Sequence, residues 1–204
     1  EEGIGILPIV DKENNYVCSA FWEDIKKHVD YPNEFVDNQK RYRYGGAVST
    51  LEEDIERAEA LVAADCDMLF IDTSDAKSDY AVKQIKEIKK KFPYIPLIAG
   101  NIVDAEGFRL LVEAGANGAK VGQGPGYGCT TRWVKGTGRG QITALLEIAA
   151  ERDKYEKETG KKIPICLDGG IGGTADMLKS CGCGADMLMM GSYLGMYTES
   201  AAPL

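Results

Sequence analysis

The sequence predicts an α/β fold in which repeated strand–helix units build a parallel sheet. Six short apolar runs alternate with segments of helical periodicity, and parallel strands require such crossover connections. A weak internal repeat supports this fold, because 63–72, 113–122 and 181–191 each join the end of a helix, a turn of small residues and a buried strand. The pattern is compatible with both a barrel and a doubly wound sheet.

Local patterns predict the individual elements. Residues 50–53, Thr-Leu-Glu-Glu, predict a capping box that opens a helix through about residue 63. Apolar residues at positions i, i+3 and i+7 within 85–92 predict a second helix, which Pro93 ends. Further helices are predicted after Asp104 and over 141–159. The predicted strands are 44–49, 68–72, 96–101, 118–122, 163–168 and 186–191.

The first 25 residues follow a different pattern. Residues 6–21 predict two strands joined by a polar turn at 13–15, and Trp22 begins a helix. A hairpin and one helix are too small to fold alone, so we expect this piece to belong to another domain or to pack on the main one.

Composition restricts the class of function. The chain has 204 residues, of which 44% are apolar and 27% charged, as in an ordinary soluble domain. A net charge of −8 argues against a nucleic-acid surface, and no apolar run approaches the roughly 18 residues of a membrane span. The six cysteines lack the spacing of a disulfide scaffold, and one histidine makes a metal site at Cys181-Gly-Cys183 unfavourable. Reduced thiols in the cytoplasm are the simplest interpretation.

The most informative segment is a glycine-rich loop after a predicted strand, where parallel α/β folds carry their functional residues. Residues 122–128 contain four glycines and a proline, and Cys129 follows them. A cysteine beside exposed backbone amides and Arg132 can have a lowered pKa and act as a nucleophile. The alternative is that Cys129 is one small buried residue among six cysteines. A cysteine–histidine pair is excluded, because His28 lies in a different segment.

Two aspartates end apolar strands, where a carboxylate contributes nothing to packing. Asp72 and Asp168 suit the binding of sugar hydroxyls or polar base edges, and the alternative is capping of the next helix. The glycine-rich stretch 168–176 precedes a helix that begins near Thr174, an arrangement that can bind phosphate.

Five motifs stand in order along the chain: Asp72-Thr-Ser74, Ala99-Gly-Asn101, the segment from Lys120 to Arg132, Asp168-Gly-Gly-Ile171 and Gly191-Ser192. Together they resemble the inosine monophosphate (IMP) dehydrogenase and guanosine monophosphate (GMP) reductase superfamily, and the similarity runs from about residue 40 to 200. The resemblance implies an α/β (β/α)8 TIM barrel, about six of whose eight units lie within 28–204, with a flap expected beyond Leu204. Residues 1–27 resemble the tail of a CBS domain, which the dehydrogenases carry and the reductases lack.

The resemblance also implies roles. Cys129 would attack C2 of IMP, a hydride would pass to NAD, and Thr131 would position the water that hydrolyses the covalent thioimidate. The residues implied on the NAD side are Asp72, Thr73, Ser74, Asn101, Gly122, Gln123 and Gly124. The residues implied on the IMP side are Tyr127, Asp168, Gly169, Gly170, Gly191 and Ser192. Carbonyl groups of Gly124, Gly126 and Cys129 would bind a potassium ion.

One departure affects substrate binding, because Tyr127 stands where the family usually has a serine that contacts phosphate. We therefore keep alternatives to the NAD-dependent dehydrogenase: a GMP reductase, an inactive nucleotide-binding relative, and an unrelated barrel that binds sugar phosphate. We expect a cytoplasmic enzyme of guanine nucleotide synthesis, a homotetramer when complete, with no membrane or nucleic-acid partner.

Overall fold

The computed structural model describes residues 5–201. The chain forms two compact units, one ending at Arg43 and one beginning at Tyr44. This boundary lies later than residue 28, where we predict the barrel domain to begin. Within residues 5–201, no helix has the length and apolar character needed to cross a membrane.

The first unit contains the predicted hairpin and helix. Strands β1 (Ile6–Val10) and β2 (Tyr16–Phe21) are antiparallel, and helix α1 (Trp22–Asp30) follows directly. The Asp11 carboxylate accepts two backbone N–H groups of the turn, and Asn14 takes a positive φ of 64° there. The predicted hairpin and the predicted start of a helix at Trp22 are both confirmed.

The second unit is built on six parallel strands that lie side by side in sequence order. That order is the order of a barrel wall, whereas a doubly wound sheet reverses direction at a switch point. The predicted parallel α/β fold is confirmed, and the arrangement corresponds to part of a (β/α)8 barrel. The strands are β3 (Gly45–Val48), β4 (Met68–Asp72), β5 (Leu97–Ile102), β6 (Gly118–Val121), β7 (Ile165–Asp168) and β8 (Met187–Met189).

Helices connect these strands and bury apolar faces against the sheet. Asp104 caps the helix that begins at Ala105, since its carboxylate accepts the Gly107 N–H at 2.7 Å, and the left-handed Gly160 ends the helix that begins at Gln141, as expected. The core includes Ile85, Phe108 and Leu145, all fully buried. The helices are α2 (Asp54–Ala63), α3 (Asp79–Lys91), α4 (Ala105–Glu113), α5 (Thr131–Lys135), α6 (Gln141–Thr159) and α7 (Thr174–Gly182), with a 3-10 turn at Leu194–Met196.

The predicted capping box at 50–53 is wrong. Helix α2 begins only at Asp54, and its first carboxylate accepts the N–H of Ser49. The Ser49 hydroxyl in turn accepts the N–H of Leu51 at 3.1 Å. These local bonds from side chains to backbone hold 49–54 as a turn, which competes with an earlier helix start.

The internal repeat corresponds to a recurring connection, which we call the Asx clamp, at the amino ends of the strands. Each clamp has a left-handed residue, a buried small residue and then an Asp or Asn. The N–H of this Asp or Asn donates to the carbonyl of a residue at, or directly before, the start of the preceding strand, and its side chain accepts the N–H of that same residue. The pairs are Asp67 with Tyr44, Asn117 with Leu97, and Asp186 with Ile165.

Candidate active site

A cavity of about 280 Å³ lies at the carboxyl ends of β4, β5, β6 and β7. Its volume is close to the lower end of the range for small-molecule pockets. The cavity brings together both residues predicted to be catalytic and every residue predicted on the NAD side. Its lining is Asp72, Thr73, Ser74, Asn101, Gly122, Gln123, Gly124, Cys129, Thr131 and Asp168.

Cys129 stands half-buried at the end of the glycine-rich loop, just before α5. Its N–H donates to the Gly126 carbonyl at 3.1 Å, and its sulfur lies 3.3 Å from the Thr131 hydroxyl. Hydrogen bonding with Thr131 is the main cause that lowers the pKa of Cys129, and the Gly124 backbone and the Arg132 charge contribute less. The loop therefore favours a thiolate without a histidine.

Arg132 mainly holds the loop in shape. Its Nε donates to the carbonyl of Gln123 at 3.0 Å, and its Nη2 donates to that of Arg139 at 2.8 Å. The side chain passes between Gly124 and Gly138, both with positive φ. A Cβ at Gly138 would lie 2.9 Å from Cγ of Arg132, so only glycine leaves room for the arginine there.

Lys120, for which we predicted no role, is the centre of the site. Its side chain is 1% exposed, and its ammonium donates to Asp72 Oδ1 at 2.7 Å, to Asp168 Oδ2 at 2.6 Å and to Asn101 Oδ1. An ammonium has three N–H donors, and these three acceptors satisfy all of them. The sequence signal was a lysine inside an apolar strand, since a buried charge requires partners.

Asn101 and Gln141 hold the rim of the cavity together. Asn101 Nδ2 donates to the Gly122 carbonyl at 2.6 Å and to Asp168 Oδ2 at 3.0 Å. Gln141, which we did not predict, donates from Nε2 to the carbonyls of Asp168 at 2.7 Å and Gly169 at 3.1 Å. Its buried Oε1 has no hydrogen-bond partner among the described residues. The loops after β6 and β7 are thus joined through the start of α6.

The residues predicted on the IMP side are more dispersed. Asp168 lines the cavity, and the glycines after it pack on Pro125, since a Cβ at Gly170 would lie 3.0 Å from the Pro125 Cβ. Tyr127 is 99% exposed, so its phenol points away from the cavity. Gly191 and Ser192 lie in the turn after β8. The predicted residues outside this cavity are Gly126, Tyr127, Gly169, Gly170, Gly191 and Ser192.

Sequence comparison relates the chain to a known family. Residues 3–204 match the IMP dehydrogenase / GMP reductase domain. The chain is 43% identical over 201 residues to inosine-5′-monophosphate dehydrogenase of Tritrichomonas foetus, an alignment that covers 98% of this chain and 40% of the relative. It is also 43% identical to the enzyme of Aquifex aeolicus, with 95% and 38% covered. The chain thus spans about 40% of the length of these relatives.

Solved structures show the same relationship. A GMP reductase variant from Trypanosoma brucei in complex with guanosine 5′-monophosphate matches with a TM-score of 0.79 and 31% identity, over 93% of this chain and 38% of that one. The reductase of the same organism in complex with guanosine 5′-triphosphate matches with a TM-score of 0.78 and 32% identity, over 92% and 43%.

Proposed function

The chain belongs to the IMP dehydrogenase / GMP reductase family, and on this basis we propose that the complete protein oxidises IMP to xanthosine monophosphate with NAD. The observation that carries the proposal is Cys129, with its lowered pKa, in one cavity with Thr131, Asp72 and Asp168. The dehydrogenase is favoured over the reductase because the relatives that are 43% identical bear the dehydrogenase name.

The proposed chemistry begins with the Cys129 thiolate. Its sulfur adds to C2 of the purine, and the hydride on C2 leaves as the carbon–sulfur thioimidate forms. NAD, when bound, supplies the acceptor for that hydride. Thr131, which contacts the sulfur at 3.3 Å, then positions the water whose attack on C2 releases the thiol and the product. No histidine is required for these steps.

The lining of the cavity fits this use. The NAD side would consist of Asp72, Thr73, Ser74, Asn101 and 122–124, which offer acceptors, hydroxyls and backbone amides on one rim. The cavity would therefore offer NAD both hydrogen-bond donors and acceptors.

The IMP side would use Asp168 and the glycine-rich turns. Asp168 Oδ2 accepts hydrogen bonds from both Lys120 and Asn101. We therefore assign the other oxygen, Oδ1, to the ribose hydroxyls. Gly169, Gly170, Gly191 and Ser192 would offer backbone donors to the phosphate. Tyr127, almost fully exposed, would contact the phosphate only after a change in the loop.

We further propose a potassium site on the same loop, formed by carbonyl oxygens of Gly124, Gly126 and Cys129. Alkali and alkaline-earth cations favour such oxygen ligands. The Gly126 carbonyl accepts the Cys129 N–H at 3.1 Å, and a carbonyl has a second lone pair for a cation. Among the described residues, no group of three or more His, Cys, Asp or Glu side chains could hold a metal instead.

The larger assembly is proposed from the family alone. We assign residues 1–27 to the tail of a CBS domain, and we propose a cytoplasmic homotetramer for the complete protein.

The test uses the complete protein expressed from its gene, with IMP, NAD and potassium, and follows NADH by absorbance. Production that vanishes in Cys129→Ala and persists in Cys181→Ala, an exposed cysteine outside the cavity, supports the proposal. NADPH consumption with GMP would instead assign the reductase, which the similarity to GMP reductase structures makes the second candidate. Silence in both assays, without a Cys129 adduct of 6-chloro-inosine monophosphate, would favour an inactive nucleotide-binding protein.

A further inference from the structure

Lys120 connects two carboxylates that the proposed function assigns to different ligands. Asp72, at the end of β4, belongs to the NAD side, and Asp168, at the end of β7, belongs to the IMP side. Both contact the same nitrogen, at 2.7 Å and 2.6 Å. One buried cation therefore determines the position of two ligand-binding groups.

The two carboxylates differ in exposure. The side chain of Asp72 is 59% exposed and that of Asp168 is 24% exposed, whereas that of Lys120 is 1% exposed. Solvent and ligands can therefore reach the carboxylates, and the carboxylates shield the cation. A ligand that donates a hydrogen bond to one carboxylate competes with Lys120 for it, so Lys120 pairs more strongly with the other carboxylate.

The surroundings give Lys120 little freedom to adjust by itself. A Cβ at Gly100 would lie 2.5 Å from the Lys120 Cβ, so the strand is packed tightly at this point. Asn101 contacts both Lys120 and Asp168, which closes a ring of hydrogen bonds. In such a network a change at one member is shared by all of them.

On the basis of the proposed function, we propose that Lys120 is a positioning residue that couples the binding of the mononucleotide to that of the dinucleotide. It touches neither ligand, and it acts by holding Asp72 and Asp168 at one nitrogen. A purely structural ion pair would stabilise the fold but would leave the two affinities independent. The coupling is therefore the property to measure.

The experiment uses the complete protein with Cys129→Ala in every sample, so that no turnover occurs. Calorimetry gives the Kd of IMP with and without saturating NAD, and their ratio is the coupling factor. We expect a ratio of about fivefold or more in this parent and a ratio near one in Lys120→Met. The matched control is Lys89→Met, which also removes a lysine with three acceptors but lies outside the cavity. It is expected to keep the parent's ratio.

A second variant covers the case in which Lys120→Met does not fold. Asp72→Asn changes an exposed side chain, and we expect it to weaken IMP binding several-fold even without NAD, because Lys120 then pairs more strongly with Asp168. An unchanged IMP affinity in Asp72→Asn would overturn the inference. So would a parent ratio of one, or a parent ratio preserved in Lys120→Met. A parent that binds neither IMP nor NAD would instead overturn the proposed function, and this inference with it.

Discussion

The parallel sheet has a carboxyl edge, where its strands end, and an amino edge, where they begin. Each of these edges holds a lysine whose ammonium donates to three acceptors, one of them an asparagine. At the carboxyl edge Lys120 contacts Asp72, Asp168 and Asn101. At the amino edge Lys89 donates to two backbone carbonyls, at 3.0 Å and 2.8 Å, and to Asn117 Oδ1 at 2.9 Å. The number of bonds is the same, but the kind of acceptor differs.

The kind of acceptor distinguishes a lysine beside the candidate site from a lysine that only stabilises the fold. The acceptors of Lys89 belong to the α3–β5 connection and to an Asx clamp, so all of them serve the fold. Burial lowers the pKa of Lys89, and its three acceptors compensate for the lost solvation. The carboxylates around Lys120 reach the cavity instead. In parallel α/β proteins the amino edge maintains the fold and the carboxyl edge carries the chemistry.

The largest expected loss of stability is at the amino edge. Asp186→Ala removes the acceptor of the Ile165 N–H at 2.9 Å and of Arg152 Nη1 at 3.1 Å. We expect the free energy of unfolding of the complete protein to fall by about 3 kcal/mol, because a nearly buried arginine loses the less exposed of its two carboxylate partners. Urea unfolding measures it, with Asp153→Ala, at the exposed side of Arg152, as the control. Equal effects of the two variants would contradict the clamp.

The two asparagines provide a direct contrast. Asn117→Ala removes the acceptor of the Leu97 N–H and one of the three acceptors of Lys89, so we expect a loss of about 1–3 kcal/mol in stability and an unchanged kcat/KM. Asn101→Ala disturbs Lys120 and Asp168, so we expect kcat/KM to fall about tenfold or more. Thermal unfolding and NADH assays on both variants test the contrast. Similar losses of kcat/KM in the two variants would show that the amino edge also contributes to activity.

The thiol at the carboxyl edge should react at unusually low pH. The thiolate fraction rises with pH through the pKa, so the lowered pKa of Cys129 shifts its alkylation profile below that of an ordinary thiol. Thr131→Val removes the main cause and is expected to move the profile back upward. Iodoacetamide labelling read by peptide mass spectrometry measures this. Cys166, whose pKa burial raises to about 11, is the internal reference and should stay unlabelled. A profile that Thr131→Val leaves in place would contradict the assignment.

The smallest effect is expected on the outer face of α3. Lys83 forms an ion pair with Glu52, and both side chains are more than half exposed. We expect Lys83→Ala to leave the melting temperature unchanged within error, because solvent screens such pairs. Lys89→Ala, on the same helix, is expected to lower it. A clear loss in Lys83→Ala would mean that position on the helix, rather than the acceptors, decides stability.

Local patterns predicted much of this fold. The strands, helices α3, α4 and α6, and the hairpin all follow from periodicity, caps and turn residues. The predicted start of α2 was wrong because the side chains of Ser49 and Asp54 accept backbone N–H groups and hold a turn there. Helix α5 was not predicted, because five residues are too few to show helical periodicity. These errors concern single turns of the chain.

The lining of the cavity was predictable in part from the sequence, but the hydrogen bonds that connect its residues were not. Strand ends and the glycine-rich loop identified Cys129 and both aspartates. We predicted no role for Lys120, because its partners lie on three other strands. Side chains that pair across such a separation along the chain leave no pattern in a single sequence. Gln141 was missed for the same reason, since it reaches the site from the start of α6.

The Asx clamps have a consequence for hydrogen exchange. The amide hydrogens of Tyr44, Leu97 and Ile165 each bond to a clamp side chain, so they exchange with deuterium only when the neighbouring unit separates. Each clamp joins a strand only to its predecessor, which makes the strand–helix unit the smallest segment that can open cooperatively. Slow exchange at these amides would thus mark the end of the sheet opposite the cavity.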